Sequence, residues 1–424
     1  MGKNGVFKTK LKNGLTVILK EAHTTPVTTW WVWYRVGSRN ERTGLTGASH
    51  WVEHMMFKGT KQFPAGVLDK AVSRDGGAWN AMTYIDWTTY FETMPADKID
   101  LGMRLEADRM ANSLFPPKEV AAERTVIISE REGHENEPTF QLNELMHKAA
   151  FTVHGYHHET IGDMADLRTM TRDDLYTHYR TYYTPNNAIA VAVGDFDARK
   201  MLRRIKELYE GIPRGLPIRP FARPEPPQKG ERRVMVEGED KTAYLEVAYH
   251  APAAADPDFY PMVALESILA GAGSFNVFGG GTSNKSSRLY KALVETELAA
   301  GVGGGLMASV DPYLFSIAAT VRQGRTLAEV EKALDAEMDR VLNEPVSEAE
   351  LAKALKQAKA MFAFSAESVS NLGFWYGFSE IIDTYEWFEN YLDRLTQVAV
   401  ADVHRVAQKY LAQSNRTVGW YQPK

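Results

Sequence analysis

An α+β fold is predicted, with two homologous sandwich domains, each a mostly antiparallel sheet with helices on one face. Three observations predict it. Strands and helices come in blocks, a proline-rich stretch divides the chain, and one pattern recurs in both halves. The 424 residues suggest two or three domains at about 150 residues each.

The blocks run as follows. The N-terminus opens into a strand-like segment. Thr16–Leu19 and Thr28–Val36 are rich in β-branched and aromatic residues and read as strands. Apolar spacing predicts helices over His50–Phe57 and Val67–Arg74, and a strand pair covers Trp79–Met94. Longer helices follow at Lys98–Asn112 and Pro117–Arg131. The divider holds Pro213, Pro217, Pro220, Pro224, Pro226 and Pro227, six of the chain's 19 prolines. Proline lacks a backbone donor and favours extended chain, so this is a stiff connector. The expected domains are residues 1–212 and 230–424, with 213–229 as linker. The recurrence pairs Asp174 with Asp402, Leu175 with Val403, Tyr182 with Tyr410 and Asn187 with Asn415, all 228 apart. In each half a helix feeds a terminal strand.

Composition narrows the function. The chain is 44% hydrophobic and 24% charged, an ordinary globular balance. No apolar run is long enough for a membrane span. The net charge of −5 argues against a general nucleic-acid binder. With no cysteine, thiolate chemistry, disulfides and thiolate zinc sites are excluded. The N-terminus has no apolar signal-peptide core, which leaves a cytoplasmic location, or a periplasmic one with the signal removed.

The informative residues are His50-Trp51-Val52-Glu53-His54. On a helix, His50 and His54 share a face and can bind one metal ion. Glu53 points to the same side and can act as a base beside it. This is the inverted order of the more usual H-E-x-x-H pattern. The spacing alone also occurs on solvated helix faces.

The wider segment Gly47–Thr60 resembles the active-site helix of the M16, pitrilysin-like metallopeptidases. The run Glu123–Glu130 resembles that family's downstream ligand helix. There Glu130 matches the third zinc ligand and Glu123 a supporting glutamate one heptad earlier. Gly76–Thr83 resembles the family's edge strand, and Asn80 and Ala81 fall where it pairs with bound peptide. Tyr183–Asn187 fits the same family. The resemblance covers nearly the whole chain. It implies one zinc ion per chain and a zinc endopeptidase, with Glu53 as catalytic base. It also implies half of a clamshell chamber. At the 228 offset, Glu130 and Glu123 correspond to Ala358 and Leu351, and the only histidines after the linker are His250 and His404. The second half therefore carries no metal site.

The resemblance also implies a partner. In the family, an arginine and a tyrosine from the opposing half stabilise the developing oxyanion. Here Val294 and Ala300 stand at those positions, and Arg288 and Tyr290 nearby read as structural. A heterodimer with a zinc-less subunit of the same fold is expected, a homodimer being the other arrangement. A catalytically silent structural subunit of this fold is the competing reading. The intact His50, Glu53, His54 and Glu130 set argues against it.

Other features have plainer readings. His154, His157 and His158 read as loop histidines in preference to a second metal site, and His134 as solvated. Gly279–Gly281 reads as a flexible loop and Gly303–Gly305 as a close-packed strand, since no Gly-Lys-Ser/Thr follows either. The aromatic stretch Phe374–Tyr391 reads as core or domain interface.

Overall fold

The structure is a computed structural model and describes residues 5–218, 223–273 and 285–424. Gly279–Gly281 and the middle of the proline-rich connector lie outside the described residues.

The first half begins with β1 (Val6–Lys10), β2 (Thr16–Glu21) and β3 (Val27–Tyr34). Next come α1 (Ala48–Met55), α2 (Val67–Arg74) and the hairpin β4 (Ala78–Thr83) and β5 (Thr88–Pro95). Then follow α3 (Asp100–Asn112), α4 (Pro117–Glu135), α5 (Pro138–Ala150), α6 (Met164–Thr169) and α7 (Arg172–Tyr182). β6 (Ala188–Gly194) and α8 (Ala198–Tyr209) complete it. The second half holds β7 (Arg232–Gly238), β8 (Tyr244–Ala251), α9 (Phe259–Leu269), β9 (Ala299–Leu306) and β10 (Tyr313–Val321). It continues with α10 (Leu327–Asn343), α11 (Glu348–Ser365), α12 (Val369–Ile382), α13 (Glu386–Glu389) and α14 (Tyr391–Thr396). It ends with α15 (Val400–Tyr410) and β11 (Arg416–Pro423).

Two sheets form, ordered β1-β2-β6-β3-β5-β4 and β7-β11-β8-β10-β9. All pairings are antiparallel except β2 with β6 and β7 with β11. The mostly antiparallel α+β expectation holds.

The repeat reappears as matching hydrogen bonds. Asn187 Nδ2 donates to the Tyr182 carbonyl at 2.8 Å and the Arg35 carbonyl at 3.4 Å. Asn415 Nδ2 donates to the Tyr410 carbonyl at 2.7 Å and the His250 carbonyl at 3.0 Å. In both places the amide ties the helix end to a neighbouring strand, at the residue after β3 in one half and within β8 in the other, just before the terminal strand begins. A side chain that satisfies two carbonyls at a helix C-terminus explains why asparagine stands there twice.

The compact units are not contiguous stretches. One comprises Met1–Glu132, His158–Arg223 and Ala366–Phe388. The other comprises Gly133–His157, Pro224–Ser365 and Glu389–Lys424. Each unit thus takes one short helical segment from the other half of the sequence.

In the first unit that segment is α12. β3 is its central strand, and Trp30, Trp31 and Trp33 are all fully buried. A strand buried on both faces needs cover on both. Trp31 stacks on Phe91 at 4.0 Å between ring centres, its partner in register. Phe374 of α12 meets Trp31 and Trp33 edge-on at 5.8 and 5.2 Å. Gly373 and Gly377 let the helix backbone come this close. A Cβ on Gly377 would lie 2.0 Å from Trp33 Nε1. The aromatic stretch from Phe374 to Tyr391 is core, as expected.

In the second unit α5 takes the corresponding place. Its Leu142 and Met146 lie over Gly419 of β11, and Arg232 of β7 donates to the carbonyls of Ala149 and Ala150 at 2.7 Å each. β9 is an edge strand, and only Gly304 of its glycine run is tightly packed; a Cβ on Gly303 or Gly305 would meet nothing. The close-packed reading of that run is corrected to its central residue. His154 is buried against Asp311 at 3.1 Å. His158 is buried in the first unit, 3.9 Å from Glu41. Both lie in the irregular segment between α5 and α6, so the loop reading holds, and both are packed. His134 is half-buried and stacks on Phe140. No helix among the described residues is long and apolar enough to cross a membrane.

Candidate functional site

The site is built on α1, and the chain fixes that helix at its first turn. Gly47 precedes α1 with φ at +88°, and a Cβ there would lie 2.5 Å from the Ile161 carbonyl. Both facts require glycine. The Glu41 carboxylate accepts from Gly47 N at 2.7 Å and Ser49 N at 2.6 Å. It thereby satisfies two of the helix's unpaired N–H groups. Burial pushes Glu41 up to about 8, against the pull of those two donors. Asp166 accepts from Gly44 N, Thr46 N and Thr46 Oγ1, holding the loop that leads in.

α4 is docked on α1 through one arginine. The Arg124 guanidinium lies over the Trp51 ring, 4.9 Å from its centre. Its nitrogens donate to the Leu167 and Met170 carbonyls at 2.6 Å each. A guanidinium with both a ring face and two carbonyls as partners sets a helix's rotation firmly. Glu123 and Glu130, seven residues apart on α4, therefore share the face turned toward α1.

The three expected ligands meet. One ligand atom from each of His50, His54 and Glu130 lies within 4.8 Å of the other two. His50 Nε2 stands 3.8 Å from Glu130 Oε1, and His54 Nε2 stands 3.9 Å from Glu130 Oε2. Ligands on a tetrahedral zinc ion are separated by about 3.3–3.6 Å, given bonds of about 2.0–2.2 Å. The two histidine-to-glutamate separations lie a few tenths of an ångström above that. Two imidazoles and a carboxylate are the donors zinc takes, so the residues present fit that ion. Among the described residues no other group of three metal-ligating side chains converges in this way.

The supporting contacts are specific. Glu123 Oε1 lies 2.8 Å from His54 Nδ1, which leaves Nε2 toward Glu130. Lys58 Nζ lies 2.5 Å from Glu123 Oε2. The His54 hydrogen bond, reinforced by Lys58, holds Glu123 below the usual carboxylate range despite partial burial. Burial works against a charged His54, but Glu123, Glu53 and Glu130 outweigh it and raise its pKa. Glu53 is 8% exposed, and burial pushes its carboxyl up to about 7. A carboxylate poised near neutrality can both take and give a proton.

Asn80 and Ala81 lie on β4, the outermost strand of the first sheet. Asn80 is exposed, and its Oδ1 accepts from Ala81 N at 2.9 Å. An outermost strand presents unpaired backbone groups along one side. In the second unit, Val294 ends a helical turn and Ala300 lies on β9. Arg288 is engaged by Glu350 at 2.8 Å and Glu337 at 3.4 Å, as a structural residue would be.

Sequence reasoning missed Glu41, Lys58, Thr83 and Arg124. Lys58, Thr83 and Arg124 stood inside segments already singled out, but their partners Glu123, Glu53, and Trp51 and Leu167 lie far away in sequence. Glu41 carried no local signal, because a carboxylate that caps a helix resembles any surface charge.

Comparison with known proteins agrees with this geometry. A family profile described as insulinase (peptidase family M16) matches residues 16–164, and one described as the peptidase M16 inactive domain matches residues 169–358. The chain is 30% identical over 421 residues to zinc protease PqqE of Helicobacter pylori, covering 97% of this chain and 92% of that one. It is 26% identical over 410 residues to a probable mitochondrial-processing peptidase subunit beta of Arabidopsis thaliana, covering 95% and 76%. The crystal structure of a protease from Helicobacter pylori matches with a TM-score of 0.91 and 29% identity, covering 99% of each chain. With both profiles matched and such a relative aligned along nearly its full length, this chain belongs to the M16 peptidase family.

Proposed function

We propose that the chain is a zinc endopeptidase that hydrolyses peptides or unfolded segments, with one zinc ion held by His50, His54 and Glu130. The observation that carries this reading is the convergence of those three side chains beside a buried carboxylate, Glu53. When bound, zinc supplies Lewis acidity that makes water a stronger acid and polarises a scissile carbonyl. Glu53 accepts the proton of the attacking water and delivers it to the leaving amine. Glu123 holds His54 in the tautomer that presents Nε2, and Lys58 keeps Glu123 ionised. The free side of β4 at Asn80 and Ala81 takes the peptide as an added strand.

We further propose a heterodimer in which a zinc-less subunit of the same fold brings the arginine and tyrosine. Support comes from Val294 and Ala300 at the corresponding positions, from the engagement of Arg288 within its own unit, and from a relative named as a beta subunit. Losing an oxyanion donor costs about 10²–10³ in turnover, so the chain alone is expected to be slow.

The test is cleavage of a quenched peptide library by zinc-loaded and metal-free chain, with and without such a subunit. Cleavage that vanishes on chelation and returns with zinc supports the peptidase. Silence with one zinc bound and the subunit present would favour a structural role. Turnover by the chain alone that the subunit leaves unchanged would sink the heterodimer. Glu123→Gln is expected to weaken zinc binding about 10–100-fold, as read by competition with a chelating dye. An unchanged affinity would remove Glu123 from the site's support.

A further inference from the structure

The β4–β5 hairpin brings a hydroxyl to the site. Thr83, the last residue of β4, donates its Oγ1 hydrogen to Glu53 Oε2 at 2.6 Å. Among the described residues this is the one hydrogen bond the Glu53 carboxylate receives from a side chain. Thr88, opposite Thr83 in register, lies 3.3 Å away and donates its own hydrogen to the Val36 carbonyl at 2.9 Å. Thr83 has a single hydrogen to give. The carboxylate is nearer and charged, so it takes that hydrogen in preference to Thr88.

We propose that Thr83 is the positioning residue for Glu53, tying down Oε2 so that Oε1 is the atom that moves protons. This rests on the reading of Glu53 as the base. The tether survives the chemistry: once Oε1 has taken a proton, Oε2 still accepts from Thr83. A glutamate side chain otherwise has several rotors to fix, and an unfixed base spends much of its time misaimed.

The anchor itself is rigid. Tyr84 N donates to the Trp87 carbonyl at 2.8 Å and closes the hairpin next to Thr83. Ser38 N and Arg39 N donate to the carbonyls of Tyr84 and Ile85, at 3.2 and 2.9 Å. The Arg39 guanidinium pairs with buried Asp86 at 3.2 Å. The same short strand carries Asn80 and Ala81, so the base and the peptide-pairing edge are referenced to one element. Losing the tether should therefore disturb the chemical step and leave peptide capture intact.

Four variants test this: Thr83→Val, which keeps the shape, Thr83→Ser, which keeps the hydroxyl, Glu53→Gln as kinetic reference, and Glu53→Ala for the stability cycle. In the zinc-loaded protein, Thr83→Val is expected to lower kcat about tenfold with KM and zinc content unchanged. Thr83→Ser should recover most of that loss. A second readout needs neither zinc nor turnover. In metal-free protein, the Tm shifts of Thr83→Val and Glu53→Ala should be non-additive by about 2–4 °C. Unchanged kcat in Thr83→Val, a Thr83→Ser variant as slow as Thr83→Val, or additive Tm shifts would each overturn the proposal. Wild-type protein without Glu53-dependent cleavage would overturn the peptidase reading, and this role with it, whatever the Tm cycle gives.

Discussion

Glu53→Gln is expected to lower kcat by about 10²–10⁴ while zinc content stays at the wild-type level. The carboxamide keeps the size of the side chain and an oxygen that can accept from Thr83. It does not take up a proton near neutral pH, so the loss isolates proton transfer. Zinc should remain because the converging set is His50, His54 and Glu130. Cleavage kinetics and metal analysis on one preparation decide the matter. If zinc is lost with activity, Glu53 belongs among the ligands. If kcat survives, another group is the base.

The second large effect concerns folding. A fragment of residues 1–223 is expected not to reach the native fold, although it contains every strand of the first sheet and every candidate ligand. What it lacks is α12. Without that helix, Trp31, Trp33 and Trp87 lose the cover that Phe374 and its neighbours give. Large aromatic side chains bury about 150–250 Å² each. Exposing half of that for three rings removes about 6–9 kcal/mol at about 25 cal/mol per Å². A domain's whole stability is about 5–15 kcal/mol. The fragment should bind a hydrophobic dye and show weak near-ultraviolet dichroism, and added peptide 366–388 should restore the signal. A fragment that folds without the peptide would refute this account of α12.

Much of the site was legible because helical spacing is a local property. His50, Glu53 and His54 are placed on one face by the helix period alone, as are Glu123 and Glu130. Their meeting needs two helices at a set rotation, which depends on Arg124 reaching both the Trp51 ring and two carbonyls of a distant turn. No window of sequence contains that relation. The glycine run of β9 shows the same limit: three like residues in a row sit in different surroundings, and only Gly304 is tightly packed.

The sequence by itself determined the strand and helix blocks, the repeat and the candidate ligand residues. Each rests on short-range periodicity or on side-chain chemistry that needs no partner to be recognised. The asparagines of the repeat were legible too, since the bonds of Asn187 and Asn415 to the helix end run between near neighbours. Only the tertiary structure decided which helix covers which sheet. The apolar sequence of α12 says that it is buried, and apolar burial is non-directional. Its partner was chosen by fit, with Gly373 and Gly377 admitting the indoles of Trp31 and Trp33. The same holds for Thr83, whose hydroxyl acquires a role only where the hairpin sets it against Glu53.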